Sequence, residues 1–179
     1  GGGRSVSENP LEAEIGEVLA RRGWTLAVAE SCTGGLLSHR LTNVPGSSRY
    51  FLGGVVAYAN EAKMRLLGVR RQTLEAHGAV SAETAREMAQ GARRLFQADI
   101  ALAITGIAGP GGGTPEKPVG LVFLHLSAPD AEWGEQHLWT GGREENKAQS
   151  AEAALLLLRR YLKKGNEGNE GYVAMAARG

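Results

Sequence analysis

Residues 24–35 read Trp24-Thr25-Leu26-Ala27-Val28-Ala29-Glu30-Ser31-Cys32-Thr33-Gly34-Gly35. The first six form a short apolar run of the kind expected for a buried strand. Glu30 to Gly35 break that run with a carboxylate, hydroxyls and two glycines, and Leu36 to Leu41 continue as a helix. A strand that passes through a sharp turn straight into a helix opens an α/β unit. Upstream, Asn9-Pro10 reads as a helix start, with Asn as the cap and Pro at the first helical position. Leu11, Ile15, Val18 and Leu19 then repeat at helical spacing until Gly23 stops them. Downstream, Pro45-Gly46-Ser47-Ser48 reads as a loop and Phe51 to Ala59 as a second strand, after which Asn60 caps a short helix.

Ser81 caps a longer helix, Ala82 to Phe96, with Met88, Ala92 and Leu95 on its inner face. Ile100 to Ile104 is a short continuous apolar run, as expected of a central strand covered on both faces. Val119 to Leu126 and Glu135 to Thr140 read as a hairpin around Ala128-Pro129-Asp130, and Glu144 to Lys164 as the last helix. The predicted fold is a three-layer α/β/α sandwich with a mixed, mostly parallel sheet, spanning residues 10–164. A disordered segment is expected at 1–9 and a mobile tail at 165–179, where Gly-Asn-Glu occurs twice.

At 179 residues the chain suits one domain with its own core. Twenty basic and nineteen acidic side chains leave a net charge of +1, which gives no electrostatic footprint for nucleic acid or an anionic membrane. No apolar run is long enough to span a bilayer, and Gly1 to Asn9 lack a hydrophobic signal core, so a cytoplasmic location is expected. The single cysteine, Cys32, excludes an internal disulfide framework and a multi-cysteine zinc site. His39, His77, His125 and His137 show no metal-ligand spacing. Neither a metal nor a cofactor is implied. The 26 glycines are unusual, about twice the roughly 7% of average usage.

Those glycines cluster where strands end, and in open α/β sheets ligands bind at the carboxyl ends of strands. In the first turn, free N–H groups beside Gly34 and Gly35 could receive an anion, although Ser31 or Thr33 could equally be an ordinary helix cap. Cys32 reads as a small buried hydrophobe, since no histidine partners it. Ser48, Tyr58 and Lys63 could form a Ser-Lys pair with a tyrosine relay, or a turn serine, a packed tyrosine and a solvated lysine. Thr105 to Pro118 is a long glycine-rich loop that lacks the ending of a Walker A motif. Gly106 and Gly109 within it permit close backbone approach to a ligand. Arg143 could clamp a phosphate.

Taken together, Ala29-Glu30-Ser31-Cys32-Thr33-Gly34-Gly35, Pro45-Gly46-Ser47-Ser48, Tyr58-Ala59-Asn60-Glu61-Ala62-Lys63, His77-Gly78-Ala79-Val80-Ser81, and Thr105-Gly106-Ile107-Ala108-Gly109-Pro110 with Lys117-Pro118-Val119-Gly120 resemble the CinA C-terminal domain family. Its enzymatic members are nicotinamide mononucleotide deamidases of the PncC type. The resemblance runs from about Leu11 to Leu162. It implies hydrolysis of nicotinamide mononucleotide to nicotinate mononucleotide and ammonia, within pyridine nucleotide salvage. It also implies functional roles at Ser31, Ser48, Tyr58, Lys63, Thr105 and Arg143. On this expectation Ser48 is the nucleophile, with Ser31 as the second choice, and Lys63 is the base, assisted by Tyr58. Ser31 and N–H groups near Gly34 and Gly35 hold the oxyanion, while Thr105, the glycine loop and Arg143 bind ribose phosphate. The rival expectation is a non-catalytic nucleotide- or partner-binding module. A homo-oligomer is expected.

Overall fold

The computed structural model describes the backbone of residues 9–167 and side chains as far as Lys164. Most of the expected segments 1–9 and 165–179 therefore lies outside the described residues. The elements are α1 Leu11–Arg22, β1 Leu26–Glu30, α2 Leu36–Thr42, β2 Phe51–Val56, α3 Asn60–Leu67, α4 Arg71–His77, α5 Ala82–Phe96, β3 Ile100–Gly106, β4 Leu121–Ala128, β5 Ala131–Leu138 and α6 Arg143–Glu167. A 3-10 turn, Ser47–Arg49, precedes β2.

The sheet runs β2-β1-β3-β4-β5. β1 is parallel to both β2 and β3, β4 runs against β3, and β5 runs against β4, so four of the five strands share one direction. Leu26, Val28, Ile100, Leu102 and Ile104 send their side chains to one face, where α1, α2 and α6 contribute Ile15, Leu19, Leu37, Leu41, Leu155 and Leu158. Ala29, Ala101 and Ala103 point to the other face, against Leu67 and α5's Met88, Ala89 and Ala92. Small strand residues let α5 sit close to the sheet, and Gly91 lets α3 sit close to α5: a Cβ there would lie 1.8 Å from the Leu67 carbonyl oxygen.

Several boundaries differ from expectation. α1 begins at Leu11, with Pro10 in the capping position. β5 begins at Ala131 rather than Glu135, because the hairpin turn is only Pro129-Asp130. α4 has no expected counterpart; it buries Thr73 and little else, so no apolar period announces it. Leu95, expected inward, is half exposed. The last turn of α5 instead turns Phe96 toward the sheet, where its ring occupies the space a Cβ on Gly53 would need.

Among the surface pairs, Arg40 Nε donates to Glu12 Oε2 at 2.8 Å and holds the Glu12 carboxyl below its ordinary value of 4.5. Its folded value being depressed, this pair contributes stability above that pH and loses it as the pH falls through the folded value. The urea midpoint is therefore expected to drop below about pH 4.5, and more shallowly in Glu12→Gln than in wild type.

Candidate active site

Three segments converge at the carboxyl ends of the parallel strands: the turn after β1, the stretch from β2 into α3, and the glycine-rich loop after β3. The Ser31 N–H donates to the Ile104 carbonyl at 3.0 Å, which sets Ser31 beside the end of β3. The convergence encloses a cavity of about 270 Å³ lined by Ser31, Cys32, Tyr58, Asn60, Lys63, Thr105, Gly106, Gly109 and Arg143, among others. Larger clefts, about 600 Å³ against α4 and α5 and about 510 Å³ between β5 and α6, hold neither a buried lysine nor the glycine loop.

Lys63 is the chemical centre of this cavity. It is 1% exposed, on a helix whose polar residues otherwise face outward. Its Nζ donates to the carbonyls of Ala57 at 2.9 Å and Tyr58 at 3.1 Å. Burial disfavours the ammonium and lowers its pKa from 10.5. A neutral amine has two protons and one lone pair; the two carbonyls take both protons, and the lone pair is left for a third group.

Glu30 organises the turn beside it. The carboxylate is fully buried. Oε1 accepts from Thr33 Oγ1 at 2.6 Å, Leu37 N at 2.9 Å and Gly35 N at 3.2 Å; Oε2 accepts from Ser38 Oγ at 2.7 Å and Ser38 N at 2.9 Å. These bonds overturn one expectation. The Gly35 N–H is held by Glu30, the Gly34 N–H by the Ser31 carbonyl, and neither glycine lines the cavity. Gly34 and Gly35 are needed instead because φ is +60° and +106° there, a region other residues rarely adopt. The Cys32 N–H directly follows Ser31, and its partner is the Cys32 thiol itself. The Cys32 thiol is pushed up to about 11 by burial, so it stays protonated near neutrality.

The far wall is built from α6 and the loop. Arg143 Nη1 donates to the Gly109 carbonyl at 2.7 Å and Nη2 to the Tyr58 hydroxyl at 3.2 Å. Tyr58 is 62% exposed, so its ring stands at the mouth, and it is its carbonyl that reaches Lys63. Thr105 Oγ1 donates to the Ala79 carbonyl at 2.8 Å and fixes the His77–Ser81 segment over the cavity. Asn146 Nδ2 holds the Ala108 carbonyl at 3.0 Å, while its Oδ1 accepts from Gly141 N at 3.1 Å. The glycine loop is thus pinned at its root.

Ser31, Tyr58, Lys63, Thr105, Gly106, Gly109 and Arg143 are therefore brought together, and Ser48 is not. Ser48 sits before β2, at the amino end of the parallel strands, and is exposed. Six strand residues at about 3.3 Å each separate it from the Lys63 end by roughly 20 Å. Lys147 was not singled out by the sequence. Its Nζ lies 3.8 Å from where a Cβ on Gly34 would sit, near the Ser31 turn. The usable signal was its place one helical turn after Arg143 on the same face.

A buried lysine and a serine lining one cavity, at the carboxyl edge of a mixed α/β sheet and under a glycine-rich loop, define an α/β domain with a candidate active site. The comparisons give its family: the CinA C-terminal domain matches residues 8–162, and the chain belongs to that family. It is 52% identical over 163 residues to a CinA-like protein of Chloroherpeton thalassium, covering 88% of this chain and 39% of that protein. It is 52% identical over 148 residues to a CinA-like protein of Desulfotalea psychrophila, covering 83% and 36%. The chain thus spans less than half the length of these curated relatives. A CinA superfamily protein of Klebsiella pneumoniae superimposes with a TM-score of 0.82 at 38% identity, covering 85% of this chain and 95% of that one. No helix among the described residues is long and apolar enough to cross a membrane.

Proposed function

We propose that the domain is a metal-independent cytoplasmic amidohydrolase that converts nicotinamide mononucleotide and water to nicotinate mononucleotide and ammonia. The observation that carries the chemistry is Lys63, buried, with two carbonyls taking its protons and Ser31 in the same cavity. The motif resemblance supplies the substrate. Ser31, rather than Ser48, is the nucleophile available within one chain. Its Oγ–H proton passes to Lys63 Nζ as Oγ bonds to the carboxamide carbon. The Cys32 N–H receives the developing oxyanion. Lys63 returns the proton to the departing nitrogen, the C–N bond breaks, and ammonia leaves an acyl ester on Ser31. Water attacks the ester with Lys63 again as base, and the proton is restored to Ser31 as nicotinate mononucleotide departs.

Phosphate recognition falls to the loop and α6. Among the described residues the N–H groups of Gly109, Gly111 and Gly112 bond to no other protein group, and Arg143 stands beside them. Backbone donors and one guanidinium suit a phosphate. Arg143→Ala is therefore expected to raise KM about tenfold while changing kcat little, as loss of uniform binding does, and nicotinamide riboside to be a much poorer substrate than the mononucleotide. The deciding experiment is ammonia release from the mononucleotide by the purified chain. A module that only binds nucleotides would retain the mononucleotide in equilibrium dialysis and release no ammonia.

A further inference from the structure

The stretch from His77 to Val80 belongs to two hollows at once. Ala79 and Val80 line the strand-end cavity, while His77 lines the cleft of about 600 Å³ between α4 and α5, a volume usual for a small-molecule site. The walls of that cleft are charged. On α5, Glu83, Arg86, Glu87, Gln90 and Arg94 recur at helical spacing and share one face, and Arg70 stands at the start of α4. The carboxylates are engaged within the chain. Glu87 accepts from Thr73 Oγ1 at 2.5 Å and from Arg70 N at 2.8 Å, and Glu83 lies 3.4 Å from His77 Nδ1. The guanidinium groups of Arg86 and Arg94 have no hydrogen bond or ion pair among the described residues. An adjoining cleft of about 530 Å³ shares Gln90 and Arg94 and adds Arg93. The cleft therefore presents positive charge that the chain itself does not neutralise.

Planar guanidinium forks match phosphate oxygens. Arg86 and Arg94 are eight residues apart, about 12 Å along the helix, so the charge is strung out rather than gathered at a point. That spacing suits two linked phosphates better than one. Apart from His77 the lining holds no ring, so the phosphates rather than a base carry the recognition. We propose that the α4–α5 cleft binds a diphosphate group between Arg86, Arg94 and Arg70, and that its occupancy is felt in the strand-end cavity through His77–Val80. The connection is a chain of contacts. The His77 carbonyl accepts from Lys117 Nζ of the glycine-rich loop, and the Ala79 carbonyl accepts from Thr105 Oγ1 at 2.8 Å. α4 buries Thr73 and little else, so a ligand that draws on Arg70 and His77 shifts a weakly anchored helix. Neither part rests on the deamidase reading.

Two measurements test it. Inorganic pyrophosphate and ADP are titrated calorimetrically into wild type and three variants. Arg143→Ala, which weakens the phosphate wall of the other cavity, is expected to keep pyrophosphate affinity within about twofold. The pair Arg86→Gln and Arg94→Gln, both exposed, is expected to lose at least about tenfold. The pair Arg21→Gln and Arg71→Gln removes the same charge outside the cleft and is expected to change little. Equal affinities for pyrophosphate and ADP assign the site to the diphosphate itself, and a clearly tighter ADP assigns it to a nucleotide; both uphold the proposal. No binding of either, loss confined to Arg143→Ala, or equal loss in both arginine pairs overturns it. The second measurement follows amide resonances in Arg143→Ala as pyrophosphate is added. Val80 and Thr105 are expected to shift with the calorimetric Kd. If the Arg86 and Arg94 amides shift and those two do not, the coupling is overturned. Both measurements follow binding, so they stand whether or not the chain releases ammonia.

Discussion

Lys63→Met is expected to lower kcat for the proposed ammonia release by about 10²–10⁴-fold, the usual contribution of a positioned general base, and to leave the chain folded. Methionine fills the space of the lysine stem without bringing an amine. Lys63→Arg is expected to fail as badly, because a guanidinium stays protonated and has no lone pair to offer. The pH profile is the sharper readout. Burial holds the Lys63 pKa below 10.5, so the neutral fraction, and with it kcat/KM, rises with pH through a limb below the ordinary lysine range. The linkage has the same sign: with fewer protons bound in the folded than in the unfolded chain, the Lys63 contribution to stability grows as pH rises through that window. Activity in Lys63→Met within tenfold of wild type would remove the lysine from the mechanism.

Glu30→Ala carries the largest expected stability loss, on the order of 3–5 kcal/mol, since each buried donor left unpaired costs about 1–3 kcal/mol. Five donors converge on this carboxylate, from Thr33, Gly35, Leu37 and Ser38. That is a large share of a total stability of roughly 5–15 kcal/mol. Glu30→Gln should lose less, because its amide oxygen can still accept from one side while its NH₂ opposes the donors on the other. Urea titration of the three proteins checks the order. Equal midpoints for wild type and Glu30→Ala would show that the turn finds other partners.

The sheet was legible because its strands are apolar runs closed by glycine turns. Ile100–Ile104 falls within β3, and Trp24–Ala29 overlaps β1 with its start two residues early. The gathering of Ser31, Lys63 and Thr105 followed from the rule that strand ends build sites, whereas Arg143 enters from the start of α6. What sequence hides is direction and reach. Ser48 and Tyr58 stand on either side of one strand and look equally close to a site, yet strand direction sends them to opposite ends of the sheet. Glu30 reads as the first polar residue of a turn; nothing in its neighbours reveals that its side chain bends forward to receive N–H groups as far on as Ser38. A lysine in a short amphipathic helix reads as solvated, and only the packing of α3 on α5 and the carbonyls of Ala57 and Tyr58 make Lys63 a buried amine. α4, seven residues with one buried threonine, carries no pattern to detect.

The unequal edges of the sheet bear on how large an assembly can grow. A strand edge that accepts any like edge propagates without limit when both sides of a sheet are open, which is the route to fibres. Here only one edge is apolar: β2, Phe51–Val56, carries no charge, whereas β5 carries Glu132, Glu135 and His137. At β5 both glutamates are engaged within the chain, Glu132 with Gln90, His125 and Ser127, and Glu135 with His137 and Arg160. The glutamates of β5 thus tie this edge strand to β4, α5 and α6 and leave it less open than β2. Valine at both positions would take the acceptors from His125, Ser127 and Arg160 and loosen that edge, far from the cavity.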